Sequence, residues 1–260
     1  MEAELETELK KEEILSELID KIRCGSRGEL LCYAKTLIGV GGAIYTPNPI
    51  MLYDAVHNPE LFSALMRGVS IPDGVGVAMG LRSLGISTEV LAGVELAYEL
   101  LLGENLKFAV IGGMPGRAEA AGLRLEAECG GRCVLALDGY AYGEGRIEAA
   151  LDMTKPEVVL VCLGSPKQEI FIDRLRDKFC GMLFLGLGGS VDIYSGAKRR
   201  APALVRRLRL EWLYRMVCEP ARIVGIYKIF GFLRLTKRVK KLRKRDKIRH
   251  GLFKNGKKRV

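Results

Sequence analysis

Short apolar runs, each breaking off at a glycine-containing turn and giving way to a helical segment, constrain this fold more than any other feature. Phe108-Ala109-Val110-Ile111 runs into Gly112-Gly113-Met114-Pro115-Gly116 and then the alanine-rich stretch Arg117 to Glu128. Cys133 to Leu137 ends at Asp138-Gly139-Tyr140 ahead of Arg146 to Met153. Val158 to Leu163 ends at Gly164-Ser165-Pro166-Lys167-Gln168-Glu169, and Leu183 to Leu187 at Gly188-Gly189-Ser190. This alternation predicts right-handed βαβ units around a parallel sheet, an α/β Rossmann-like core. In such sheets ligands sit beyond the carboxyl ends of the strands, where helix N-termini offer unpaired N–H groups to anions.

Flanking segments read as helices. Glu2 to Cys24 carries an imperfect apolar stripe (Leu9, Ile14, Leu15, Leu18, Ile19, Ile22) that predicts packing on the domain. Ile50 to Met66 reads as one helix despite Pro59, with Pro49 suited to a first-turn position, and Val94 to Leu102 reads as another. After Gly186-Leu187-Gly188-Gly189-Ser190 the composition shifts to basic, aromatic-containing helix. The expected division is an α/β core over 1–198, a helical appendage over 199–235 and a polybasic tail over 236–260.

Charge is unevenly spread. Lys plus Arg number 41 against 31 Asp plus Glu, a net +10, and the excess lies at the C-terminus, where Asp246 is the single acid from Thr236 to Val260. The first residues, Met1 to Ile14, are instead rich in glutamate. The 7 cysteines are scattered without a disulfide framework, which fits a reducing cytosol. Cys129 and Cys133 lack the second Cys or His pair that a zinc site needs. The acidic N-terminus is unlike a signal peptide, and no segment approaches the roughly 20 apolar residues of a membrane span.

Several polar residues sit where chemistry is expected, each with a plainer reading beside it. Asp73, between Pro72 and Gly74, suits a turn aspartate bonded to its own backbone, and equally a carboxylate that takes the proton of an attacking sugar hydroxyl. Thr46 and Asn48 suit helix capping, and also the orientation of a sugar or diphosphate. The Gly112–Gly116 turn permits close approach of a phosphate or nucleoside, but it is neither a Rossmann fingerprint nor a Walker loop, which disfavours ATP hydrolysis. Gln168 and Glu169 complement a helix N-terminus, whereas Lys167 opposes it, a conflict that a bound anion would offset. Arg199-Arg200-Ala201-Pro202, Glu211-Trp212-Leu213-Tyr214-Arg215 and Glu219-Pro220-Ala221-Arg222 form a basic and aromatic series that a solvated helix face would also explain.

The apolar stretch Ile223 to Leu233, just before the basic run, has the character of an interfacial anchor, with cations worth roughly 1 kcal/mol each near acidic head groups. Such a surface also drives self-association, so a homo-oligomer is compatible with it. Nucleic-acid binding is not expected, because the tail has Phe253 and little else to stack on bases. The competing reading is a non-catalytic nucleotide-binding protein with a nucleic-acid-binding basic tail.

Taken in order, Thr46-Pro47-Asn48, Pro72-Asp73-Gly74-Val75-Gly76, Gly112–Gly116, Gly164–Glu169, Arg200-Ala201-Pro202 and Glu211–Arg215 resemble the WecG/TagA/CpsF glycosyltransferases, over about Gly41 to Arg222. The resemblance implies a fold sometimes labelled GT-E and an inverting transferase without a metal-binding Asp-x-Asp and without a cofactor. It implies transfer of N-acetylmannosamine or a related sugar from a UDP-sugar donor to a GlcNAc-diphospho-polyprenol, in the cytoplasm at the inner face of the membrane. By motif, Asp73 is the base, with Thr46 and Asn48 in the same pocket. Gly112, Gly113, Pro115 and Gly116 receive the nucleotide, Gln168 holds the donor or acceptor sugar, and Lys167 and Glu169 are substrate-binding beside it. Arg215 and Arg222, with Arg207 and Arg209 as further candidates, meet the diphosphate, whose developing charge needs preorganised donors, and Arg200 is a further substrate-binding residue. Two departures from the family pattern stand out: the long basic tail beyond Leu235, and Ala141 after Asp138-Gly139-Tyr140, where an aromatic is common.

Overall fold

Alternate residues of each central strand enter two different cores, which is why these strands read as unbroken apolar runs. In the computed structural model, which describes residues 2–139, 143–208 and 210–256, the elements follow in this order. Helices α1 (Glu2–Lys21) and α2 (Arg27–Thr36) precede strand β1 (Gly42–Tyr45). Helices α3 (Pro49–Ala55) and α4 (Pro59–Arg67) lead to β2 (Val69–Ser70), and α5 (Val75–Ser83) and α6 (Gly93–Leu101) lead to β3 (Lys107–Gly112). Then α7 (Arg117–Cys129), β4 (Arg132–Leu137), α8 (Glu144–Thr154), β5 (Val158–Cys162), α9 (Lys167–Leu175) and β6 (Leu183–Gly186) alternate. The chain closes with α10 (Ser190–Tyr194), α11 (Ala203–Arg207), α12 (Glu211–Cys218), a 3₁₀ turn (Pro220–Gly225) and α13 (Ile226–Gly256).

Among the described residues, six strands form one parallel sheet in the order β2-β1-β6-β5-β3-β4. The α/β, Rossmann-like fold expected from the sequence is the fold observed. Ala109, Ile111, Val159, Val161 and Phe184 face a core shared with α1, α3, α4, α5, α8, α9 and α13. Phe108, Val110, Val158, Leu160, Leu183 and Leu185 face the other, against α2, α6, α7 and α10. From β3 the chain turns outward to β4, whereas from β5 it turns the other way to β6. The crevice between the carboxyl ends of β3 and β5 is therefore the topological switch point, where ligands of doubly wound sheets bind.

The segment read as one helix over 50–66 is two. Asn58 caps α4 by accepting from the backbone N–H groups of Glu60 and Leu61, and Pro59 takes the first helical turn. Proline fits that position because the N–H it lacks would be unpaired there anyway. Tyr140 and Ala141, the site of one family departure, lie outside the described residues.

The C-terminal helix differs most from its sequence reading, since α13 runs unbroken through residue 235. Phe232, Leu235, Thr236 and Val239 are buried on the core, against α3, α1 and α5. Beyond that face, Arg238 pairs with Glu8 and Glu12, and Arg243 with Asp20 at 2.7 Å and with Ser16. The acidic N-terminal helix and the start of the basic run are thus packed partners. Side chains from Asp246 onward lie outside the described residues.

Candidate active site

Because the sheet is parallel, the turns after β1, β2, β3, β5 and β6 all emerge at one edge. Register brings Tyr45 beside Ser70 and Gly186, and Gly112 beside Cys162. The turn after β2 carries Asp73, whose backbone N–H donates to the Pro47 carbonyl at 3.1 Å, joining it to the Thr46-Pro47-Asn48 loop. Leu91 N–H donates to the Pro72 carbonyl at 3.1 Å, so the approach to α6 is tied to the same turn. Asp73 keeps some solvent contact. Yet burial pushes its carboxyl from 3.8 up to about 7, with Glu211 and Glu95 adding to the rise and Arg215 and Arg200 opposing it. A carboxyl pushed up toward neutrality is what a general base requires, strong enough to take a proton and still able to ionise.

Thr46 is buried, and its hydroxyl donates to the Gly186 carbonyl at 3.3 Å. Asn48 caps α3, with its side-chain oxygen accepting from Met51 N–H at 3.0 Å. The turn after β5 is bound to the turn after β6: Gln168 Oε1 accepts from Gly188 N–H at 2.8 Å, while its Nε2 donates to Glu169 Oε1 at 2.6 Å. Both side chains are buried, so Gln168 braces the two loops where they border the crevice. Burial raises the Glu169 carboxyl, opposed by the hydrogen bond from Gln168. Lys167, one residue earlier, is exposed.

At the switch point, Gly112 has φ 127°, and a Cβ there would run into the Cys162 carbonyl of the neighbouring strand. Glycine alone lets β3 and β5 approach this closely while the chain bends toward α7. Pro115 and Gly116 are exposed at the tip of the turn. Two strands, β6 and β5, separate β1 from β3. The Gly112–Gly116 turn is therefore about 14 Å along the edge, three strand spacings, from the Thr46-Pro47-Asn48 loop, and Asp73 follows β2, one strand further out.

Residues between Lys198 and Glu219 meet the turn after β6. A cleft of about 290 Å³ is lined by Gly189 from the turn after β6, by Lys198, Arg199 and Arg200, and by Glu211, Tyr214 and Arg215. The charges of Arg215 and Arg200 also reach Asp73. Arg207 is exposed on α11. Arg209 and the side chain of Arg222 lie outside the described residues.

Sequence reasoning missed Asp192, which is buried and accepts from Arg117 and from Lys198 at 3.1 Å. Burial alone would lower the Lys198 ammonium, but Glu219, at 3.1 Å, and Asp192 outweigh it and keep Lys198 charged. The turn at Gly188-Gly189-Ser190 carries the same signal as the other turns, a strand ending in glycines before a helix start, and it points to the residues that follow it. Chemically, the edge offers one carboxyl near neutrality facing guanidinium groups, with bends that admit a phosphate. That combination suits deprotonation of a hydroxyl while a phosphate-bearing group departs.

A family model described as the glycosyl transferase WecG/TagA/CpsF family matches residues 19–247. The chain is 33% identical over 188 residues to an N-acetylglucosaminyldiphosphoundecaprenol N-acetyl-beta-D-mannosaminyltransferase of Bacillus spizizenii, covering 70% of this chain and 73% of that protein. It is 32% identical over 189 residues to the protein of the same name from Bacillus subtilis, covering 70% and 74%.

Proposed function

The chain belongs to the WecG/TagA/CpsF family of glycosyl transferases, and from that premise we propose that it transfers N-acetylmannosamine, or a closely related sugar, from a UDP-sugar to a GlcNAc-diphospho-polyprenol. The product serves cell-envelope polysaccharide or teichoic-acid linkage synthesis. The observation that carries this reading is the carboxyl of Asp73 at the carboxyl edge of the sheet, raised by burial to about 7 within the electrostatic reach of Arg215 and Arg200. Asp73 removes the proton of the acceptor hydroxyl as that oxygen attacks C1 of the donor sugar. The C1–O bond to UDP breaks, its electron pair passes to the β-phosphate oxygen, and the arginines stabilise that charge. One displacement inverts the anomeric centre. Thr46 and Asn48 shape the acceptor side, Gly112 to Gly116 receive the nucleotide, and Gln168 and Glu169 hold the loops that border the sugar.

With UDP-N-acetylmannosamine, a short-chain GlcNAc-diphospho-lipid and a chelator present, the protein is expected to release UDP in step with a disaccharide-lipid. Acceptor-independent release would remove the assignment, as would failure across a panel of UDP-sugars.

We infer that the reaction takes place at the inner membrane face, where a lipid-linked acceptor would be met. Among the described residues no helix is long and apolar enough to cross a membrane. The face of α13 and its preceding turn opposite the core instead exposes Ile223, Val224, Tyr227 and Phe230. We infer that this face enters the lipid boundary beside the basic run. Tyr227→Asp with Phe230→Asp should weaken sedimentation with anionic vesicles by roughly tenfold or more, and unchanged sedimentation would place the contact elsewhere.

A further inference from the structure

We propose that Glu95 is a positioning residue for transfer, holding the appendage over the crevice by anchoring Arg200; this rests on the transferase reading above. Glu95 lies in the first turn of α6, which is built into the site. A Cβ at Gly93 would meet Thr46 Oγ1 at 2.8 Å, and the Val94 carbonyl accepts from Tyr194 OH at 2.7 Å. Three guanidinium groups converge on this carboxylate. Its Oε2 accepts from Arg27 at 2.6 Å, while its Oε1 accepts from Arg200 at 2.6 Å and lies 3.6 Å from Arg206. Arg27 also pairs with Glu99, fixing α2 to α6.

Arg27 and Glu95 belong to the core, whereas Arg200 and Arg206 belong to the segment that leads into the appendage. Arg200 Nη2 lies 3.9 Å from Glu211, at the start of α12, and Arg215 follows one turn later on the same helix. The chain of contacts thus runs from α6 through Arg200 to the helix that presents Arg215. Arg200 Nε is buried without a hydrogen-bond partner among the described residues, so Glu95 orients the fork without using all its donors. Burial would raise the Glu95 carboxyl, but Arg27 and Arg200 outweigh it, so Glu95 stays ionised at neutral pH.

The test is a double-mutant cycle of Glu95→Gln and Arg200→Gln, combined with amide hydrogen exchange on the full chain. Glu95→Gln alone should lower kcat/KM about tenfold, and by less than twofold in the Arg200→Gln background, because the route through Arg200 is already lost. Additive penalties would overturn the proposal. Amides of residues 199–219 should exchange about tenfold faster in Glu95→Gln while β3 and β5 keep their protection. Unchanged exchange in 199–219 would overturn it, and so would an equal rise in β3 and β5, which would mark Glu95 as a holder of the fold. A wild type inactive toward every sugar donor would count against the transferase reading, and the exchange measurement would then decide whether Glu95 anchors the appendage.

Discussion

Replacing Asp73 by Asn is expected to cut sugar transfer by roughly 100-fold or more, the scale of losing a general base, while making the protein more stable at pH 8. Both effects come from one physical fact. Burial disfavours the charged carboxylate, so its value rises from 3.8 to about 7 in the folded state. Between those values the folded protein holds a proton that the unfolded chain has released, so stability falls as pH rises through this window and is flat above it. Asparagine keeps the shape without the charge. Because Asp73 retains some contact with solvent, the gain should be about 1–3 kcal/mol at pH 8, vanishing near pH 4. Thermal melts of both proteins at the two pH values check it, and equal melting differences at both would remove the burial argument. In the wild type, kcat/KM should be about tenfold lower at pH 6 than at pH 8, since protonated Asp73 cannot accept the hydroxyl proton. A flat profile, or near-normal turnover of Asp73→Asn, would assign the base elsewhere.

Replacing Gly112 by Ala is expected to cost about 3–5 kcal/mol, enough to reduce soluble yield. Two penalties add there. A side chain at φ 127° is strained whatever the space, and the added methyl meets the backbone carbonyl of Cys162, which cannot swing aside as a side chain can. Gly116→Ala makes a useful comparison, because φ 80° is also strained but no atom lies within contact of the added carbon. It should cost about 1–2 kcal/mol. Denaturant unfolding of the two variants separates strain from collision, and equal penalties would show that the close approach of β3 and β5 contributes nothing.

Much of this was legible because the information is local. Val158 to Cys162 is apolar at every position, and only a strand covered on both faces accommodates that with helices following in turn. Asp73 stood out because Pro72 and Gly74 flank it in a bend. The break before α4 was legible too, since Asn58-Pro59 repeats the cap-and-proline pattern of Asn48-Pro49. Reading through it gave too much weight to the apolar period.

The sequence by itself determined the alternation of strands and helices, the turns that bear Asp73, Gly112 and Gln168, and the imbalance of charge between the two ends. Only the tertiary structure decided which strands adjoin, and hence that β3 and β5 open the crevice. It also decided that the basic run starts as a packed helix, with Arg238 and Arg243 on the acids of α1, and that Glu95 gathers arginines from both core and appendage. The physical reason is range. Backbone preference and apolar period act over a few residues, whereas an ion pair between residues more than a hundred positions apart exists only once the sheet has set their elements side by side.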